Sequence, residues 1–160
     1  MPLADFSLKG KVAVVTGASR GIGEAIARGL AEHGADVVIS ARKQDSLDPV
    51  AAAIAKDTGV KCLPVACHTG DPDAIAALFA KVKSEFGRCD VLVNNAATNP
   101  YFGPAINMEL PAFDKTFEVN VRGYFVMSQH AARMMVEQGG GSIVNVASIA
   151  GLSPGAMQCV

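Results

Sequence analysis

Apolar and polar positions along this chain alternate between two textures: short, nearly continuous apolar runs and longer amphipathic stretches. The runs at 11–16, 36–41, 60–66, 90–93 and 142–147 have strand-like length and composition. Between them, apolar residues recur at helical spacing over 21–33, 46–57, 72–86 and 112–137. The last helix is expected to break near Asn120, an amide inside an apolar helical run. Stop and start residues fit these limits. Gly34 follows the first helix, Asp71-Pro72 opens the third, Gly87 closes it, and Gly139-Gly140-Gly141 follow the fourth. Strict alternation predicts right-handed crossovers and a parallel sheet covered on both faces, an α/β doubly wound fold in three layers. The expected strand order is 3-2-1-4-5.

The first strand-to-helix junction carries the strongest chemical signal. Thr16-Gly17-Ala18-Ser19-Arg20-Gly21-Ile22-Gly23 links the apolar run Val12–Val15 to the helical stretch beginning at Glu24. Glycines permit positive φ and close backbone approach, and a helix start offers unpaired N–H groups at the positive end of its dipole. Strand, glycine turn and helix together make an anion site, or else a plain connecting turn. The glycines stand at 17, 21 and 23, which is not the G-x-G-x-x-G spacing.

Composition narrows the classes. The chain has 160 residues, half of them hydrophobic, with 14 Lys and Arg against 15 Asp and Glu. One domain with a substantial core fits that length. The balanced charge gives no pointer to nucleic acid or an anionic membrane surface. No run reaches the roughly 18 apolar residues of a membrane-spanning helix, and the N-terminus has no signal-peptide pattern. Cys62, Cys67, Cys89 and Cys159 form no Cys-x-x-Cys pair and read as free thiols in a reducing, cytoplasmic setting. No metal site is expected.

Ligands of open α/β sheets bind at the carboxyl edge, so the strand ends matter. The second strand ends in Ala41-Arg42-Lys43, where an NAD enzyme usually carries Asp or Glu for the ribose 2′-OH. With Arg20 in the glycine turn, these cations suit a 2′-phosphate; the alternative is solvated loop charges. The fourth strand ends in Asn94-Asn95-Ala96-Ala97. Its asparagines can bond unpaired backbone groups of neighbouring strands, and its alanines leave room for a flat ring and ribose. Asn120 needs either a satisfied buried bond or a function. Ser148 ends the last strand as either a turn residue or a catalyst.

Taken together, the Thr16–Gly23 turn, Asn94-Asn95-Ala96-Ala97, Asn120 and Ser148 resemble, in order and interval, the motifs of the short-chain dehydrogenase/reductase family, over the whole chain. Asn99-Pro100-Tyr101-Phe102-Gly103 and Cys67-His68 look like the branch containing peroxisomal-type NADP(H)-dependent carbonyl and retinal reductases. The resemblance implies a Rossmann-like domain holding strands 1–5 of the usual seven. It implies NADP(H) contacts from Gly17, Ser19, Arg20, Gly21, Ile22, Gly23, Arg42, Lys43, His68, Asn94, Ala96 and Ala97. Cys67-His68-Thr69 departs from the family's usual Asp-Val, whose Asp bonds the adenine. Ser148 would bond the oxygen of a carbonyl or alcohol substrate, and Asn120 would hold a water serving the catalytic lysine.

The family's catalytic Tyr-x-x-x-Lys would fall at positions 161 and 165, and the chain runs to Val160. Tyr101 and Tyr124 sit in the wrong segments to replace that tyrosine. Residues 1–160 are therefore expected to be one NADP(H)-binding domain of a hydride-transferring oxidoreductase, catalytically incomplete before the Tyr-x-x-x-Lys segment. Residues of the fifth strand and of the helix through Phe125, Met127, Met134 and Met135 are expected to lack their usual cover. Family members assemble as dimers or tetramers, so a homo-oligomer, specifically a homotetramer, is expected. Alternatives are a non-catalytic nucleotide-binding or regulatory protein and a methyltransferase-like binder, the latter not expected to carry Asn94-Asn95 or Ser148.

Overall fold

A computed structural model describes residues 6–157. The chain alternates β1 (Val12–Thr16), α1 (Gly21–Glu32), β2 (Asp36–Ala41), α2 (Asp48–Thr58), β3 (Cys62–Ala66), α3 (Pro72–Phe86), β4 (Val91–Asn94), α4 (Leu110–Phe117), α5 (Tyr124–Gln138) and β5 (Ser142–Asn145). The strands form one sheet in the order β3-β2-β1-β4-β5, and all four pairings are parallel. The expected order and layering are thus observed.

Alternation of side chains along each strand explains the two cores. Val12 and Val14 of β1 join Val38 and Leu92 on one face, under Ile75, Leu78 and Val82 of α3 and Met127 and Ala131 of α5. Ala13 and Val15 join Val37, Ile39 and Val93 on the other, under Ala27 and Ala31 of α1 and Ala51 and Ile54 of α2. All five residues of β1 are buried, as a central strand between two helical layers requires. Pro64 sits in β3, an edge strand, where its missing N–H costs least. β5 is the opposite edge and is exposed along its length, Val144 to 47%.

Several boundaries differ from the apolar pattern for local reasons. β3 begins at Cys62 rather than 60, and the Asp36 carboxylate takes the Lys61 N–H at 2.8 Å. β5 ends at Asn145 rather than 147; one further bond, Val146 N–H to the Asn94 carbonyl, closes the ladder before the chain turns away. The long helix expected over 112–137 starts earlier, at Leu110, with Pro111 in the first turn where its missing N–H is tolerated. It is interrupted at Glu118–Gly123 by a π-helical turn containing Asn120. Cys159 lies outside the described residues.

Candidate active site

The carboxyl ends of β1 to β4 open on one cleft of about 290 Å³. Gly17, Ser19 and Arg20 line it from the β1–α1 turn, and Ala41 and Arg42 from the end of β2. Cys67, His68 and Thr69 follow β3, Asn95 to Thr98 follow β4, and Lys115 and Val119 reach in from α4 and the π turn.

The glycine turn is built by sterics. Gly17 and Gly21 adopt φ of +67° and +61°, which side chains rarely do. A Cβ on Gly23 would overlap the Gly17 carbonyl oxygen and stand 2.6 Å from Asn95 Nδ2. Gly23 therefore lets α1 pack onto the turn and is not itself on the cleft wall. α1 starts from Arg20 in extended backbone with no side-chain cap. Its first amides thus remain available at the positive end of the helix. Gly21 and the 67%-exposed Ile22 belong to this first turn but do not line the cleft.

One hydroxyl organises the exit of β4. Buried Thr16 Oγ1 accepts from Asn95 N–H at 2.9 Å and Ala96 N–H at 3.0 Å. Asn95 Nδ2 returns a bond of 2.8 Å to the Thr16 carbonyl. The expected backbone-tying role thus belongs to Asn95. The fully buried side chain of Asn94 points to the α5 side. There Nδ2 donates to Asn145 Oδ1 at 2.9 Å and Ser128 Oγ at 3.1 Å. The alternation of a strand sends adjacent residues to opposite faces, so Asn94 and Asn95 cannot share one role.

Asn120 does not line the cleft, and its amide is engaged by Thr98, which does. Ser148 caps the short 3-10 turn Ile149–Gly151, accepting from Ala150 N–H at 3.1 Å, and is also off the cleft wall. Lys43 lies beside the cleft rather than in it. Tyr124 donates to the Val146 carbonyl at 3.4 Å, and Tyr101 to that of Pro104 at 2.8 Å, so both phenols serve local structure.

The cleft is cationic. Arg20, Arg42 and Lys115 line it, and no carboxylate does. Among the described residues no ion pair engages Arg20 or Arg42, whereas Lys115 Nζ binds Glu118 Oε1 at 2.6 Å. That hydrogen bond, chiefly, holds the Glu118 carboxyl below its usual range. Lys115 and Thr98 were not singled out from sequence; the four-residue spacing of Lys115 and Val119 on one helical run was the available signal for Lys115. Burial pushes the thiols of Cys62 and Cys67 up to about 11 and that of Cys89 to about 12, so all three stay protonated. Among the described residues no helix is long and apolar enough to cross a membrane.

Comparison with known proteins accords with this geometry. Residues 11–160 match the short chain dehydrogenase family. "Dehydrogenase/reductase SDR family member 4" of Oryctolagus cuniculus is 42% identical over 147 residues, 92% of this chain and 56% of the relative. The crystal structure of a metagenomic short-chain oxidoreductase in complex with NADP superposes with a TM-score of 0.87 at 43% identity, covering 93% of this chain and 67% of that one. NAD+-bound xylitol dehydrogenase gives 0.89 at 31%, covering 94% and 57%. The chain spans little more than half the length of the curated relatives it matches. Its sequence, sheet order and glycine turn place it in the short-chain dehydrogenase family.

Proposed function

We propose that the protein moves a hydride between NADP(H) and a carbonyl or secondary alcohol, with the cleft as the dinucleotide site. The observation that carries this reading is the pairing of Arg20 and Arg42 on the cleft wall, from two separate segments, with no carboxylate beside them. A ribose 2′-OH calls for a carboxylate acceptor; a 2′-phosphate calls for guanidinium donors. The space also fits, because Gly17 lines the cleft beside the uncapped start of α1, where a diphosphate can approach the backbone. A Cβ on Gly17 would stand 2.9 Å from Ala96 Cα, so the turn and the β4 exit form one continuous wall.

In this reading Gly17, Ser19 and the first amides of α1, from Gly21 and Ile22, receive the diphosphate. Arg20 and Arg42 clamp the 2′-phosphate, with Lys43 adding charge from the rim. Ala96 and Ala97 offer a flat, unobstructed surface to ring and ribose. The bound cofactor supplies the hydride. Ser148 donates a hydrogen bond to the substrate oxygen, favouring the charge that develops there. Asn120 acts as a positioning residue through Thr98. Assembly into a homo-oligomer and a cytoplasmic setting belong to the same proposal.

The test is a titration of the full-length protein with NADPH, followed by a panel of aldehydes and ketones while NADPH absorbance is monitored. Binding with carbonyl-dependent oxidation supports the proposal. Binding without turnover on any carbonyl leaves a nucleotide-binding protein, and no binding refutes the site.

A further inference from the structure

Gln44 closes the open edge of β3. That strand pairs on one side only, with β2. Its Cys67 N–H points to β2 and meets the Ala41 carbonyl at 2.8 Å. By the alternation of backbone groups along a strand, the Ala66 N–H and the Pro64 carbonyl face the opposite, unpaired side. There Gln44 Oε1 accepts from Ala66 N–H at 2.9 Å, and Nε2 donates to the Pro64 carbonyl at 3.3 Å. One primary amide thus stands in for a residue of a neighbouring strand, with acceptor and donor in a single plane. Turning the amide over would set donor against donor at Ala66. The same Nε2 donates to Asp48 Oδ1 at 2.6 Å, which ties the edge to the first turn of α2.

These bonds bracket Arg42. On its upstream side the Ala41 carbonyl is held by Cys67; two residues downstream, Gln44 is pinned to β3. Between them Ser46 Oγ donates to the Lys43 carbonyl at 2.7 Å, and fully buried Leu47 roots the turn in the core. Arg42 is exposed, lines the cleft and makes no ion pair among the described residues. No carboxylate steers its guanidinium, so its backbone decides where the side chain starts.

We propose that Gln44 is a positioning residue that sets dinucleotide specificity through Arg42. Its amide fixes the backbone from which the guanidinium reaches the 2′-phosphate, and so lowers the ordering cost of that clamp on binding. The inference rests on the NADP(H) reading above. Gln44 itself does not line the cleft. Its bonds run to β3 and α2, away from the glycine turn that would hold the diphosphate common to NADPH and NADH. Its influence therefore falls on the phosphorylated cofactor alone.

The experiment is a double-mutant cycle on the full-length protein. Dissociation constants of NADPH and NADH are measured by fluorescence titration for wild type, Gln44→Met, Arg42→Ala and the double variant. Gln44→Met keeps the length of the side chain and deletes its bonds. It should weaken NADPH about three- to tenfold and leave NADH within about twofold. In the Arg42→Ala background it should do nothing further, because residues acting through one contact are not additive. Ser46→Ala loosens the same turn by one bond; it should give the same pattern at smaller amplitude, and serves if Gln44→Met does not fold. Equal losses for both cofactors, an undiminished effect in the Arg42→Ala background, or unchanged NADPH binding overturns the proposal. Equal losses of NADPH and NADH on Arg42→Ala alone overturn the NADP(H) reading, and the proposal with it.

Discussion

Asn120 and Thr98 hold each other through two hydrogen bonds of 2.8 Å, Thr98 N–H to Asn120 Oδ1 and Asn120 Nδ2–H to the Thr98 carbonyl. The π-helical turn at Glu118–Gly123 is what brings this amide to the loop after β4. Thr98 lines the cleft, so the clasp fixes one wall of the site. Asn120→Ala deletes both bonds and should lower stability by about 1–3 kcal/mol, seen as a fall in Tm. NADPH affinity should fall with it, because the Thr98 segment is released. An unchanged Tm would show that the clasp contributes nothing.

Gly23 meets the Gly17 carbonyl with no room for a methyl group. Gly23→Ala should push α1 off the turn and cost roughly 1–3 kcal/mol, the range of overpacked sites. Cofactor affinity should fall in parallel, and both changes are readable by thermal melts with and without NADPH. Gly29→Ala, in the same helix with open space around it, is the control and should be neutral or stabilising.

At the amino-terminal ends of β1 and β4, Asp90 accepts from Val12 N–H at 2.9 Å and from Arg88 Nε at 2.7 Å and Nη2 at 2.6 Å. Burial alone would raise its pKa, but the Arg88 and Val12 hydrogen bonds outweigh burial and hold the carboxyl below its usual range. A carboxyl depressed in the folded state stabilises the fold above its unfolded pKa of about 3.9, and that contribution is lost as pH falls through the folded value. Asp90→Asn should therefore cost about 2–3 kcal/mol at neutral pH and flatten the stability profile below about pH 4. NADPH binding should not change. An unaltered acid limb in urea melts across pH would contradict this.

Sheet order, the glycine turn and the Asn95 tie were legible in the sequence because each depends on local spacing or on alternation along a strand. Positions set by packing between distant segments were not. Lys115 and Thr98 both line the cleft although they come from separate segments, and Thr98 is held by Asn120 of the π turn. The direction of the Asn94 side chain was likewise hidden, because strand register, not residue type, turns it toward α5 and Asn145. The limits of β3 and β5 depend on Asp36 and on the last β4–β5 bond, which a hydrophobic pattern does not encode.

Ser148 is exposed and caps one short turn, so its removal should cost no more than about 1 kcal/mol of stability. In the full-length enzyme, Ser148→Ala should lower kcat sharply while leaving the NADPH dissociation constant nearly unchanged, as loss of a transition-state contact does. Full activity on every accepted carbonyl would remove Ser148 from the chemistry.

The central claim is that Arg20 and Arg42 make this a site for a 2′-phosphorylated dinucleotide. Titrating wild type and Arg42→Ala with NADPH and with NADH tests it most directly. One well-placed charge-assisted bond contributes roughly 1.5–3 kcal/mol, so Arg42→Ala should weaken NADPH about tenfold or more and leave NADH nearly unchanged. Equal losses for both cofactors, or a wild type that binds NADH more tightly than NADPH, would contradict the account.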